Sequence, residues 1–279
     1  AETLNRISAR RKRAGTMAGK AKSVVPGLAL LAGLVAAGLP AVAQRPDKYA
    51  PQSLEAREYA ACMKLARSNP KAAHDSALAW RAKAGGNAAI HCIAVSLLGL
   101  GETSQAAEML AELAGRTDAR RPDLKAGLLD QAANAWIVAD RPQTAETLLT
   151  KALALKPGDA ELLIDRAIAR VALKKIWAAL DDLNGALDLE RDRKDALTLR
   201  ASVWRRLKTP ELAGKDVDRA LVLDPDYPDA LLERGLIRKA GGNVAGARAD
   251  WLRVLEIAAT GPLTEAARRN LEIMDLKKK

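Results

Sequence analysis

From Ala126 to Ala259 small and large apolar residues recur with a period of 34. Pro157 and Pro225 lie 68 residues apart, twice that period, and each closes an Ala-Leu-x-Leu-x phrase, Ala152 to Lys156 and Ala220 to Asp224. Midway stands Ala186-Leu187-Asp188-Leu189-Glu190-Arg191, the same phrase without the proline. On this ruler four units begin at Ala126, Ala160, Lys194 and Pro228. Their eighth residues are Ala133, Ala167, Ala201 and Gly235, and their twentieth are Ala145, Ala179, Ala213 and Ala247. Larger residues fill position 24 (Leu149, Leu183, Val217, Trp251), and position 27 holds Ala152, Ala186, Ala220 and Val254. Upstream the spacing loosens: a unit starting near Asn87 turns at Gly101, and Leu54 to Lys83 predicts a further helical hairpin broken at Ser68-Asn69-Pro70. An insertion of about five residues around Arg120-Arg121-Pro122-Asp123 separates this part from the regular array. Past Gly261-Pro262, Leu263 to Leu276 predicts an amphipathic helix followed by three lysines.

This pattern resembles the tetratricopeptide repeat family at its small–small–large–small–Pro positions. The resemblance implies an all-α fold, a right-handed superhelical solenoid of antiparallel helix pairs closed by a C-terminal capping helix. Elementary packing agrees. Where the first helix of a unit (A) crosses the second (B), only Gly or Ala lets the axes come close, and a closing proline resets the chain for the next unit. The family's aromatic near position 11 survives as Trp136 and Trp204, whereas Arg170 and Arg238 replace it in alternate units. The organisation expected is a basic leader and signal peptide over 1–43, a linker over 44–52 and two irregular hairpins over 53–125. Four regular units over 126–259 follow, with a capping helix and Lys tail over 260–279.

Charges follow the same period. Position 7 is Arg166, Arg200 and Arg234 in three units, and position 23 is Asp182, Asp216 and Asp250 in the same three. In the remaining unit both are apolar, Ala132 and Leu148. Charges that appear and vanish together predict an ion pair between the helices of a unit, fixing register more than adding net stability.

The first 43 residues read as an address. Lys20 and Lys22 precede an uncharged run from Val24 to Leu39 rich in Leu, Val and Ala, and Ala41-Val42-Ala43 offers the small residues that signal peptidase needs before Gln44. Cleavage after Ala43 and a periplasmic mature protein are the expectation, with an inner-membrane anchor facing the periplasm as the alternative. The net charge of +11 concentrates here: seven Lys/Arg face one acid in residues 1–43, against 38 and 33 in the rest. No basic run interleaved with aromatics is left for nucleic acid. Aromatics make up 3% of the chain and Phe is absent, so the core must be built from Ala and Leu in thin, closely packed layers.

Cys62 and Cys92 are the two cysteines, 30 residues apart on the first helices of adjacent hairpins, and in an exported protein they predict a disulfide. His91 and Cys92 are sequence neighbours whose side chains diverge by about 100° on a helix, so they do not chelate one ion. No metal and no cofactor is expected. There is no Gly-rich phosphate loop, no G-x-S-x-G and no H-E-x-x-H, and two histidines leave few bases. The chain is therefore expected not to be an enzyme.

In the family that the pattern resembles, ligands lie along A-helix positions 2, 5, 9 and 12. Here these include Asp130 and Asn134; Glu161, Ile164 and Ile168; Asp195, Thr198 and Ser202; and Asp229, Leu232 and Leu236. The Lys/Asn clamp for an acidic tail is missing except for Asn134. The apolar strip of Ile164, Ile168, Leu232 and Leu236, rimmed by acids, predicts capture of an apolar or mildly basic segment of a partner, or else packing against the next helix. The functional expectation is a periplasmic protein–protein scaffold. Its alternatives are a self-associating repeat protein or a subunit presenting substrate to an envelope enzyme.

Overall fold

A computed structural model of the chain describes residues 54–258 and 260–276. The leader and its cleavage point, the 44–52 linker and the Lys277–Lys279 tail lie outside the described residues. Those described form thirteen helices and no strand. They are α1 Leu54–Ser68, α2 Pro70–Ala82, α3 Gly86–Leu100, α4 Thr103–Arg116, α5 Pro122–Val138, α6 Pro142–Leu155 and α7 Ala160–Ala172. Then follow α8 Ile176–Leu189, α9 Lys194–Arg206, α10 Pro210–Leu223, α11 Pro228–Ala240, α12 Val244–Ile257 and α13 Pro262–Leu276. Each helix packs on the one after it, and α1 on α3, α5 on α7, α9 on α11 and α11 on α13 make the contacts between next-but-one helices. This is an all-α solenoid of helix pairs, with α13 laid over α11 and α12 at its end.

Local chemistry starts and stops these helices. Proline leads α2, α5, α6, α10 and α11, where its missing N–H costs nothing. Asn69, Asp159 and Asn243 cap α2, α7 and α12 with side-chain oxygens on free backbone N–H groups. Between A and B helices, position 15 turns left-handed in every unit: Gly101 (φ 87°), Asp140 (58°), Lys174 (61°), Lys208 (60°) and Gly242 (83°). The next residue's N–H then reaches back to the carbonyl five residues earlier, as in Lys175 to Arg170 at 2.8 Å and Asn243 to Arg238 at 2.8 Å.

The small residues lie where the helices cross. Ala133, Ala145, Ala167, Ala179, Ala201, Ala213 and Ala247 are fully buried, as are Leu149, Leu183, Val217 and Trp251 at position 24. One hydrophobic core runs unbroken from Ala94 to Met274, and a smaller one around Cys62, Ala77 and Cys92 serves the first hairpins. Gly235 is the exception that explains itself. A Cβ there would fall inside the indole of Trp251, which is fully buried and donates its N–H to the Leu232 carbonyl at 3.2 Å.

The expected insertion at Arg120–Asp123 is helical in part: α5 begins at Pro122, so the 125/126 division falls one turn inside a helix. Pro122 presets the first helical φ and Asp123 suits the first turn. The inserted residues become an extra turn, making α5 17 residues long against 13 for α7, α9 and α11.

Candidate functional site

The predicted groove lies on the A helices, and most of it is closed. Ile164 (1% exposed), Ile168 (7%) and Leu232 (2%) belong to the core, and Leu236 is half-buried against it. The apolar strip takes the second of its two expected roles, packing: α5 meets α7 and α9 meets α11, so positions 5 and 9 fall between neighbouring helices. Thr198 and Ser202 are buried as well, the Thr198 hydroxyl donating to the Lys194 carbonyl at 2.7 Å. Asn134 is buried and donates Nδ2 to Asp130 at 3.0 Å and Asp165 at 2.8 Å, joining α5 to α7.

The acids at position 2 are half-buried at Glu161, Asp195 and Asp229. Arg193 gathers two of them: it donates to Asp195 at 2.9 and 3.0 Å, to Glu161 at 2.6 Å and to Glu190 at 2.9 Å. The hydrogen bonds to Asp195 raise its pKa most, those to Glu161 and Glu190 add to them, and burial opposes. This rim is thus a set of intramolecular bridges between repeats.

The opening lies at the other end of the A face. Residues of α1, α3, α4 and α5 surround a cleft of about 480 Å³. Leu113, Leu124 and Leu128 form its apolar wall, Gly127 leaves room on α5, and Glu55, Arg121 and Asp123 stand among its charged groups. Across it runs a hydrogen-bonded chain: Tyr59 Oη lies 2.6 Å from His91 Nδ1, and His91 Nε2 lies 2.9 Å from Gln131 Oε1. The Tyr59 and His91 rings stack with centroids 5.8 Å apart. Nε2–H donates to Gln131, and Nδ1 shares a hydrogen bond with the Tyr59 hydroxyl. Burial raises the Tyr59 pKa, so its hydroxyl stays protonated at neutral pH.

The cysteines set this geometry. Cys62 of α1 and Cys92 of α3 form a disulfide with their Cα atoms 6.2 Å apart. Tyr59 is one turn from Cys62 and His91 is next to Cys92, so the bond that clamps α1 to α3 also holds one ring over the other. Sequence reasoning considered His91 only as a metal ligand. Its real partners come from helices 32 and 40 residues away, and no short motif encodes that. Among the described residues no group of three or more His, Cys, Asp and Glu side chains is placed to hold a metal. Three of the cleft's polar side chains, Tyr59, His91 and Gln131, thus bond one another.

The period-34 charges meet within their units. Arg166 grips Asp182 at 2.7 and 3.0 Å, Arg200 grips Asp216 at 2.7 Å twice, and Arg234 holds Asp250 at 2.7 Å. The arginines that displaced the aromatic complete the design. Arg170 donates to Asp182 at 2.7 Å and Arg238 to Asp250 at 2.9 Å, so two of the three aspartates sit between two guanidiniums. Asp182 and Asp250 are each 3% exposed, which makes this pairing necessary.

No protein-family profile matches the chain, and no curated protein sequence is significantly similar to it. Solved structures are. A tetratricopeptide repeat protein from Parabacteroides merdae superposes over 66% of this chain and 71% of its own, with 22% identity and a TM-score of 0.53. MamA from Desulfovibrio magneticus RS-1, taken from its residue 41, matches over 63% of this chain and 98% of its own at 14% identity and a TM-score of 0.54. A double mutant of MamA RS-1 matches over 61% and 93%, at 19% identity and a TM-score of 0.52. With its 34-residue period, its buried small positions and this shared architecture, the chain has the tetratricopeptide-repeat fold.

Proposed function

We propose that the protein is an exported, non-enzymatic scaffold that holds a segment of a partner protein in the cleft between α1, α3 and α5. The observation that carries this reading is the contrast along the A face. From α7 onward that face is filled by core residues and ion pairs, while at α1–α5 it opens into a cleft with an apolar wall and oriented polar groups. Leu113, Leu124 and Leu128 would take an apolar side chain, and the amides of Asn87 and Gln131 would meet its backbone. Export rests on the basic start, apolar run and Ala41-Val42-Ala43 of the leader; the Cys62–Cys92 bond suits an oxidising compartment.

Gly127→Arg tests the cleft. A Cβ at Gly127 would meet no neighbouring atom within 4 Å, so the variant should keep the wild-type helix content and melting curve while its longer side chain fills the cleft. Partners recovered by wild type from envelope extract should be lost with Gly127→Arg; equal recovery by both sinks the assignment. Fractionation with N-terminal sequencing tests export: a mature chain starting at Gln44 is expected in the periplasm, and an intact leader in the membrane fraction would favour the anchored form. A second reading, association between copies, is favoured by Trp177, which is 67% exposed on α8. A concentration-dependent mass in light scattering, abolished by Trp177→Ser, would support it.

A further inference from the structure

The repeats of this chain can be compared with one another, and one difference between them has the form of a missing ligand. In the unit of α7 and α8, Arg170 donates Nη1 to Asp182 at 2.7 Å and to the Ala178 carbonyl at 3.0 Å. Its Nε donates to Glu146 of the preceding unit at 3.2 Å, and Lys175 covers the same carboxylate at 2.6 Å. Two units on, Arg238 repeats the first half of this arrangement. Its Nη1 donates to Asp250 at 2.9 Å and to the Gly246 carbonyl at 3.5 Å. The second half is absent. Gly214 stands where Glu146 would be, Asn243 stands in place of Lys175, and Arg238 Nε has no acceptor among the described residues. A Cβ on Gly214 would meet nothing within 4 Å. The Arg238 side chain is accordingly 34% exposed, against 18% for Arg170.

Charge points the same way. Arg234 and Arg238 share the single carboxylate of Asp250, so the cluster keeps one positive charge. Asp218 and Glu211 of α10 are exposed and form no ion pair with either arginine. A guanidinium whose Nη1 is fixed by two bonds offers its Nε/Nη2 edge in a set direction, the geometry that takes a carboxylate with two parallel hydrogen bonds. We propose that this edge of Arg238, over the gap left by Gly214, receives an aspartate or glutamate side chain of a partner protein docking where α10, α11 and α12 meet. The inference is independent of the N-terminal cleft, because it concerns another face and a carboxylate in place of an apolar segment.

The experiment follows the Arg Nε–Hε resonances by NMR. The probe is an acetylated, amidated Glu-Ala-Glu-Ala-Glu peptide, with its Gln-Ala-Gln-Ala-Gln counterpart as the neutral control. The Glu peptide should shift the Arg238 resonance to saturation and leave Arg170 unmoved, and the Gln peptide should do neither. Gly214→Glu should place the Arg238 resonance near that of Arg170, abolish the response and raise the melting temperature more than Gly214→Gln does. The proposal is overturned if the Gln peptide acts equally, or if Gly214→Glu leaves Arg238 unchanged. It is overturned also if Glu211→Gln moves Arg238 in the free protein, meaning that the chain fills its own site. A shift that depends on protein concentration without probe would mean that a second copy supplies the carboxylate, and overturns the assignment to a partner.

Discussion

Trp251 occupies the place that Leu149, Leu183 and Val217 hold in the other units, and facing it is the one unit whose position 8 is glycine. The extra volume on one helix is accommodated by the missing methyl on the other. Gly235→Ala should therefore destabilise the protein by about 1–3 kcal/mol through overpacking, although alanine is the better helix former. Combined with Trp251→Leu it should cost less than the two single changes summed, as read by urea unfolding. Ion pairs follow a similar local logic. Asp216 has only Arg200 to hold it, whereas Asp182 keeps Arg170 if Arg166 is lost. Arg200→Ala should then cost about 3–5 kcal/mol, the range for a stranded buried charge, and Arg166→Ala distinctly less; equal losses would contradict the two-arginine clamp. The sequence showed the Arg and Asp of positions 7 and 23 as partners because they come and go together. It did not show the role of Arg170 and Arg238, since an arginine in an aromatic's place names no partner until the helices are folded.

At the scale of the helix, the 34-residue ruler located the starts of α7, α9 and α11 at Ala160, Lys194 and Pro228. It began the first regular unit at Ala126, one turn inside α5, because the turn from Pro122 is extra to the 34-residue period. Glycine marks the left-handed turn at position 15 in two units, at Gly101 and Gly242, but Asp140, Lys174 and Lys208 adopt it without glycine's freedom, and nothing in those residues announces it. A non-glycine residue in that conformation carries about 1–2 kcal/mol of strain. Lys208→Gly should consequently raise stability by about 0.5–1 kcal/mol after the greater entropy loss of glycine is subtracted, as a rise in the urea midpoint. The disulfide acts on elements too. Closing a loop of 30 residues restricts the unfolded chain by about 3.6 kcal/mol. Reduction should therefore speed amide exchange in α1 and α2 first, with α7 to α12 little affected because each repeat leans only on its neighbours.

For the molecule as a whole, the all-α repeat architecture was legible because small residues at fixed intervals leave few other packings. The candidate cleft was not. Whether positions 5 and 9 face a ligand or the next helix depends on how closely successive A helices approach, and Ile164 and Leu232 look the same in sequence either way. Asp123 and Leu124, in the extra turn of α5, line the cleft. Bridges between repeats also give the array an acid limit. Burial pushes the Glu146 carboxyl up, but hydrogen bonds from Lys175 and Arg170 outweigh it and hold its pKa below the usual value; Asp159 behaves likewise through Lys156 and the α7 backbone. Carboxyls depressed by folding stabilise above their unfolded pKa and lose that contribution as pH falls through the folded one. Unfolding midpoints should be level near neutrality and fall below about pH 4, with a shallower fall in Glu146→Gln. The Cys62–Cys92 bond has a further consequence if the protein is stretched between its ends. A solenoid yields under tension by peeling off repeats, each releasing its stored length. The 30-residue span from Cys62 to Cys92, roughly 100 Å of extended chain, stays withheld while the bond is intact. The stretch from the end of α1 through α2 into α3 thus acts as an inextensible fitting on an otherwise elastic spring, and in single-molecule pulling that length should appear only after reduction.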